Sequence, residues 1–448
     1  MLKTKKRVKI TPDLMRINMK FLRFALFFTF MLAVFAGSAL CATQKDIQPP
    51  KEWLTFIDNL KKEMLAKGIS QKTIDKAYGK NNYYHPKPEV VAQDKKQAEF
   101  ILTSRDYVNK LVNENRVSKA RKEYKSLKKK YSNLEDTYQV PLNYLTAFWA
   151  IETNFGQNKG KYHLIDGLTN LSYRNRRSKF FKNELYNVLK IMDKFDLQND
   201  KMLGSWAGAM GHFQFMPSTY NAYAIDYDGD GVIDIWDSFD DSIASAANYL
   251  HDLGFKKDEP WGQAVTLPWN FDYTLTGYKT RKTVKEWKEL GVKDVSEKAL
   301  DLSPDLQASI IIPDGRKGQP YLILGNFRRI MIWNRSENYA LAVGMLADYT
   351  ASNKKYQPIS SKNHYALTDE DILKVQKFIN KTLHLQLKED GKLGPKTKEA
   401  VKKLQAKARM HQDGYPDYTL LQKIDRYDPK IGFSAPLQPK KKLKTAKK

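Results

Sequence analysis

From Pro141 to Gly156 the chain places Leu142, Leu145, Phe148, Trp149 and Glu152 at helical spacing on one face. A stripe this apolar must be buried, so the stretch commits the chain to a core of packed helices. The stripe stays apolar until it meets Glu152. Loss of solvent penalises the ionised form of a carboxyl group. A carboxylic acid that keeps its proton near neutral pH can protonate a leaving group. The competing reading is a helix whose last turn carries a solvated glutamate.

The 448 residues are 42% hydrophobic, enough for a sizeable core and more than one domain. A formal charge of +26 points to an anionic partner: nucleic acid, lipid head groups or an acidic polymer such as cell wall. The N-terminus narrows that choice. Met19 to Arg23 is a short basic start, Phe24 to Ala36 is uncharged and apolar, and Gly37 to Ala42 supplies small residues for cleavage. This is the pattern of a secretory signal, too short for a membrane span. Its removal leaves a charge of about +19. Cys41, the one cysteine, falls within the signal, so the mature chain has no disulfide or thiol chemistry. Leu40 and Ser38 stand where a lipoprotein signal needs a small residue and a leucine, so lipid anchoring is not expected. Export to the periplasm or cell envelope is expected, and nucleic acid is not an expected partner.

Residues 1–42 are thus read as signal peptide and 43–352 as the large main domain. Residues 353–363 form a polar linker, 364–426 a small second domain and 427–448 a basic tail. Within the large domain, 141–253 alternates apolar helical segments with glycine-rich turns. Val265–Pro268 and Gln319–Leu324 read as short strands, and 339–350 returns to helix. Arg116 to Tyr131 is lysine-rich and reads as a solvated helix face. The second domain shows three short helices, the first capped by Thr368.

Two further segments carry chemistry. Of the eight residues Gly204 to Gly211, five are glycine or alanine, and Gln214 follows among large apolar groups. Such a run lets backbone approach either another helix or a ligand; composition favours helix packing. Asp226, Asp228 and Asp230, with Gly231 sixth and Ile233 eighth, match an EF-hand calcium loop. The twelfth position holds Asp237 rather than glutamate, and Asp240 and Asp241 follow, so closure by a later aspartate is open. Three carboxylates this close would repel one another without a cation. The histidines show no metal-ligand spacing, and no phosphate loop, dinucleotide fingerprint or nucleophile elbow occurs.

Ala150–Gly156, then Ala207–Gly211 with Gln214–Ser218, then the aspartate loop, Pro313–Gly315, Leu324–Phe327 and Asn334–Val343, resemble in order the lytic murein transglycosylase B family. The resemblance covers roughly residues 52–350. Residues 364–426, with Val375-Gln376, Asp390–Thr397 and Ala400-Val401, resemble a helical peptidoglycan-binding module. The resemblance implies a mainly α, lysozyme-like catalytic domain with a small β-containing insertion, plus a three-helix C-terminal domain. It implies cleavage of the β-1,4 bond between N-acetylmuramic acid and N-acetylglucosamine with closure to a 1,6-anhydro sugar. Glu152 would act as general acid and then base. Ser205, Gln214, Phe215, Asn334, Tyr339 and Tyr107 would meet the glycan, while Phe181 stands where the family has a groove tyrosine. Calcium would be held by Asp226, Asp228, Asp230, the Val232 carbonyl and Asp240, with no organic cofactor. Peptidoglycan strands are the implied partner, with wall-synthesis or division proteins as further partners, and a monomer is expected. A hydrolytic muramidase and a non-catalytic wall-binding protein are the alternatives.

Overall fold

The structure, a computed structural model, describes residues 49–79, 87, 90, 102–173, 175, 177–360 and 367–433. The signal segment and the tail beyond Phe433 lie outside the described residues. Two compact units are distinguished, residues 1–55 and 56–448. Of the first, only 49–55 are described, the entry and first turn of α1 (Lys51–Ala66). Everything below concerns the second unit.

Its centre is α6 (Leu142–Thr153), which packs against α4 (Glu114–Lys130) and α13 (Glu337–Ala351). Leu142, Leu145, Ala147, Phe148 and Ala150 are fully buried, so α6 is covered nearly all round rather than on one stripe. Its first turn is capped from outside: the Leu142 N–H donates to Glu135 Oε1 at 2.7 Å, from α5 (Ser132–Tyr138). Its end is sharper than a simple glycine stop. Asn154, Phe155 and Gly156 all take left-handed backbone (φ 51°, 62° and 78°), and both Asn154 and Phe155 return their N–H to the Trp149 carbonyl. Two non-glycine residues in that region store strain. The helix is therefore stopped one residue beyond Glu152.

Around this centre lie α2 (Gln71–Tyr78), α3 (Ser104–Leu111), α7 (Leu164–Ser172), α8 (Ser178–Phe195), α9 (Pro217–Tyr223), α10 (Phe239–Asp252) and α12 (Gly325–Trp333). A two-residue ladder joins β1 (Tyr162–His163) to β2 (Leu203–Gly204). The expected β-containing insertion is present between α10 and α12. It is a five-stranded antiparallel sheet in the order β4-β6-β7-β3-β5, with β3 Gly262–Thr266, β4 Lys282–Thr283, β5 Lys293–Asp294, β6 Gln307–Ile311 and β7 Tyr321–Ile323. Trp287 of α11 (Val284–Glu289) fills its core with Val265, Phe271, Ile310 and Leu322.

The C-terminal domain consists of α14 (Asp369–Leu383), α15 (Pro395–Lys407) and α16 (Tyr418–Asp425) around Val375, Ile379, Val401, Leu404 and Leu420. Thr368 caps α14 in a reciprocal box with Asp371. Two buried glutamines do the same job twice. Gln376 accepts from the Asp390 and Gly391 N–H groups, and Gln405 accepts from the Gly414 N–H while donating to Asp413. Each helix thereby clamps one Asp-Gly turn, which satisfies amides that so small a core would otherwise bury unpaired.

Candidate active site

Glu152 is half-buried at the end of α6. Its Oε1 accepts two hydrogen bonds, from Trp333 Nε1 at 3.0 Å and from the Tyr339 hydroxyl. Trp333 closes α12. Tyr339 lies in the first turn of α13, where its N–H donates to the capping Ser336 Oγ. Three helices thus meet at one carboxyl oxygen. Burial, followed by the charge of Glu152 and its hydrogen bond, holds the Tyr339 hydroxyl far above the usual phenol range. Tyr339 therefore stays a proton donor toward Glu152.

Aromatic rings enclose this point. Phe148 lies 4.7 Å from Trp333 and 6.2 Å from Tyr339, centroid to centroid. Phe215 and Tyr249 meet Trp333 at 5.4 and 5.2 Å, and Tyr223 stacks on Tyr249 at 4.6 Å. Trp149 and Phe155 instead pack beside each other in a neighbouring layer with His212 and Phe239. There Trp149 Nε1 donates to His212 Nδ1 at 3.1 Å, and Thr153 Oγ1 donates to the His212 carbonyl at 2.8 Å. Burial, and secondarily the Lys159 charge, push the His212 imidazole down to about 4. The ring also explains Gly156: a Cβ there would stand 2.6 Å from it.

The other expected glycan contacts fall as follows. Tyr339 and Tyr107 are buried (3% and 8% exposed), and Tyr107 acts electrostatically on Tyr339. Phe215, 4% exposed, lies under Trp333. Phe181 is 1% exposed within α8. Ser205 is half-buried, and its Oγ accepts from the Ala209 N–H at 2.9 Å. Gln214, at left-handed φ 52°, donates its amide to the Lys159 and Gly211 carbonyls at 3.2 and 3.0 Å. Asn334 caps α12 and is half-buried. The 204–215 segment is folded on itself, with Met210 bridging to both Gly204 and Phe215. At Gly211 (φ 68°) a Cβ would stand 2.2 Å from the Ile235 carbonyl oxygen. Glycine here lets the backbone approach the turn at Ile235, rather than another helix. Trp333 is the residue sequence reasoning missed; its place immediately before Asn334 is the available signal.

The aspartate loop gathers Asp226, Asp228 and Asp230, whose ligand oxygens lie within 4.8 Å of one another. Asp226 accepts from the Gly229 and Gly231 N–H groups, and Asp230 from that of Val232. Asp241, fully buried, anchors the loop by accepting from Tyr227 and Asp234. Asp240, the expected closing ligand, pairs with Lys130 at 2.8 Å. An all-oxygen, all-carboxylate set of this kind fits a hard divalent cation.

Comparison with known proteins bears on the whole arrangement. Residues 52–348 match the Transglycosylase SLT domain family, and 368–424 match a peptidoglycan binding domain. The chain is 36% identical over 223 residues to the membrane-bound lytic murein transglycosylase B of Escherichia coli K12. That match spans 48% of this chain and 58% of the relative, little more than half its length. The crystal structure of SltB3 from Pseudomonas aeruginosa in complex with NAG-NAM-pentapeptide superposes with a TM-score of 0.78 at 34% identity. It covers 84% of this chain and all of that one. The Escherichia coli lytic transglycosylase Slt35 in complex with calcium gives 0.57 at 26% identity, covering 69% and 97%. With its Glu152 site on α6 and its three-helix C-terminal domain, the chain belongs to the SLT-domain lytic transglycosylase family.

Proposed function

We propose that the protein is an exported lytic transglycosylase that cleaves the β-1,4 MurNAc–GlcNAc bond of peptidoglycan and leaves a 1,6-anhydro-MurNAc end. The observation that carries this is the grip of Trp333 and Tyr339 on one oxygen of Glu152 inside an aromatic shell. Retaining and inverting glycosidases generally require two carboxyl groups. A transglycosylase requires one, because the muramyl 6-hydroxyl supplies the nucleophile. Glu152 gives its proton to the leaving glycosidic oxygen, then takes one from the 6-hydroxyl as that oxygen closes on C1. Two fixed donors hold the carboxyl group in one orientation for both transfers. Ser205, Gln214, Asn334 and the ring edges around Trp333 line the approach of the glycan. A complex of SltB3 with NAG-anhNAM-pentapeptide supports the same outcome in a relative.

Asp226, Asp228 and Asp230 with the Val232 carbonyl would hold a structural calcium ion, with Asp240 as the fourth carboxylate once released from Lys130. The calcium complex of Slt35 supports this. The cation would stiffen the turn between α9 and α10 and has no part in the proton transfers.

Mass spectrometry of digested sacculi tests the reaction. Released muropeptides should be lighter by one water than reducing ends, and Glu152→Gln should lose about 100- to 10,000-fold in rate. Reducing-end products would make the enzyme a hydrolase. Full lytic activity in the variant would remove Glu152 from the chemistry.

A further inference from the structure

A concavity of about 880 Å³ lies outside the residues that surround Glu152. That volume is within the range of ligand sites. One wall is a face of α4, where Lys122, Lys125 and Lys129 recur at helical spacing; the other is Lys355 and Tyr356, from the segment after α13. Arg121 ties the walls together, donating from Nε to the Tyr349 carbonyl at 2.9 Å and from its terminal nitrogen to the Lys354 carbonyl. The concavity is therefore built by a specific strut.

Its charge is one-sided: five cations line it against the single carboxylate of Glu114. Other lysines of the same helix have partners. Lys119 lies over the Phe155 ring, Lys128 over Tyr124, and Lys130 pairs with Asp240. Lys122, Lys125, Lys129 and Lys355 form no ion pair among the described residues. Clustered like charges raise the energy of the empty site, and their summed field attracts an anion to it.

We propose that this concavity binds an acidic peptide, supplied by the carboxylate-bearing stems of peptidoglycan; the identity of that source rests on the function proposed above. A concave wall suits an extended chain that reaches into it, whereas the flat plane of a lipid surface meets only its rim. Ser118, Ser126 and Asn115 offer neutral hydrogen-bonding groups between the lysines, as a peptide backbone requires. Residues 434–448, with six lysines and no acid, do not supply the complementary charge. A stem held here would keep the enzyme on a wall strand while Glu152 works on a glycan.

Fluorescence anisotropy of a labelled, sugar-free stem tetrapeptide with the full chain tests this. Saturable binding that weakens with added salt is expected. Lys122→Gln/Lys125→Gln/Lys129→Gln should weaken it by about tenfold or more, and Lys355→Gln, on the opposite wall, severalfold, with unchanged melting temperatures. Unchanged binding in both variants overturns the proposal. Stronger binding to phosphatidylglycerol vesicles or to a single-stranded oligonucleotide than to the peptide also overturns it. Cleavage of peptide-free glycan is read in parallel: it should persist in both variants. Its absence from the unaltered protein would count against the transglycosylase reading while leaving the peptide result to decide the groove.

Discussion

His212 shows how one buried side chain can set a pH limit on the fold. Its Nδ1 accepts from Trp149, so the folded chain needs the neutral ring, and burial holds its titration down to about 4. The unfolded chain titrates near the ordinary imidazole value of about 6.5. Between those values the unfolded state binds the proton and the folded state does not. The contribution is therefore complete above about 6.5 and is lost as pH falls toward 4. Melting temperature should drop between pH 7 and pH 5, and His212→Gln, which keeps an acceptor for Trp149, should flatten that drop. Equal slopes in both proteins would assign the acid sensitivity elsewhere. The sequence offers His212 only as one of several scattered histidines, because its role depends on a ring 63 positions away. The same holds for Trp333, which reaches Glu152 from 181 positions downstream. Glu152 itself was legible, since its anomaly is local: a carboxylate among apolar helical neighbours.

At the level of elements, what could be read was what is written by periodicity or by turn chemistry. The α6 stripe, the Thr368 cap and the Asp-Gly loop all appear where local pattern places them. The insertion was legible only in part. Val265–Pro268 and Gln319–Leu324 overlap β3 and β7, but β4 and β5 are two residues long and gain their identity from pairing alone. The aspartate loop makes its own prediction. Its three clustered carboxylates repel, and the hydrogen bonds of Asp226 and Asp230 to the turn's own amides leave that repulsion in place. A bound cation removes the repulsion and stabilises the folded state by mass action. Chelation should lower the melting temperature of the purified protein, and added calcium should restore it. A melting curve indifferent to both would show that the loop holds without a cation.

Across the whole molecule, the C-terminal domain is seated on the catalytic domain. Lys398 pairs with Glu337 at 2.9 Å, and Tyr278 donates to the other oxygen of Glu337. Lys402 donates to the Thr276 carbonyl, Asp413 accepts from the Arg316 N–H, and Lys317 pairs with Asp417. Gly315 permits this approach: a Cβ there would stand 2.6 Å from Tyr415. The polar stretch expected as a linker is itself tied down, Asn109 exchanging two hydrogen bonds with the backbone of Ile359. Composition reads such a stretch as solvated because it cannot show which surface will satisfy its amides. Glu337 shares the first turn of α13 with Tyr339, so the seat of the domain and the grip on Glu152 lie on one helical turn. Deleting residues 367–448 should weaken binding to insoluble wall in sedimentation assays and lower the melting temperature, since it strips partners from Glu337, Arg316 and Tyr273. Cleavage of short soluble glycans should survive, because Ser336 still caps the turn that carries Tyr339, and both Trp333 and Tyr339, which donate to Glu152 Oε1, lie outside the deleted domain. Equal wall binding by the full and shortened chains would deny the domain its anchoring role. Loss of soluble-glycan cleavage at temperatures where the shortened chain stays folded would mean that the seat on Glu337 sets the geometry of the catalytic turn.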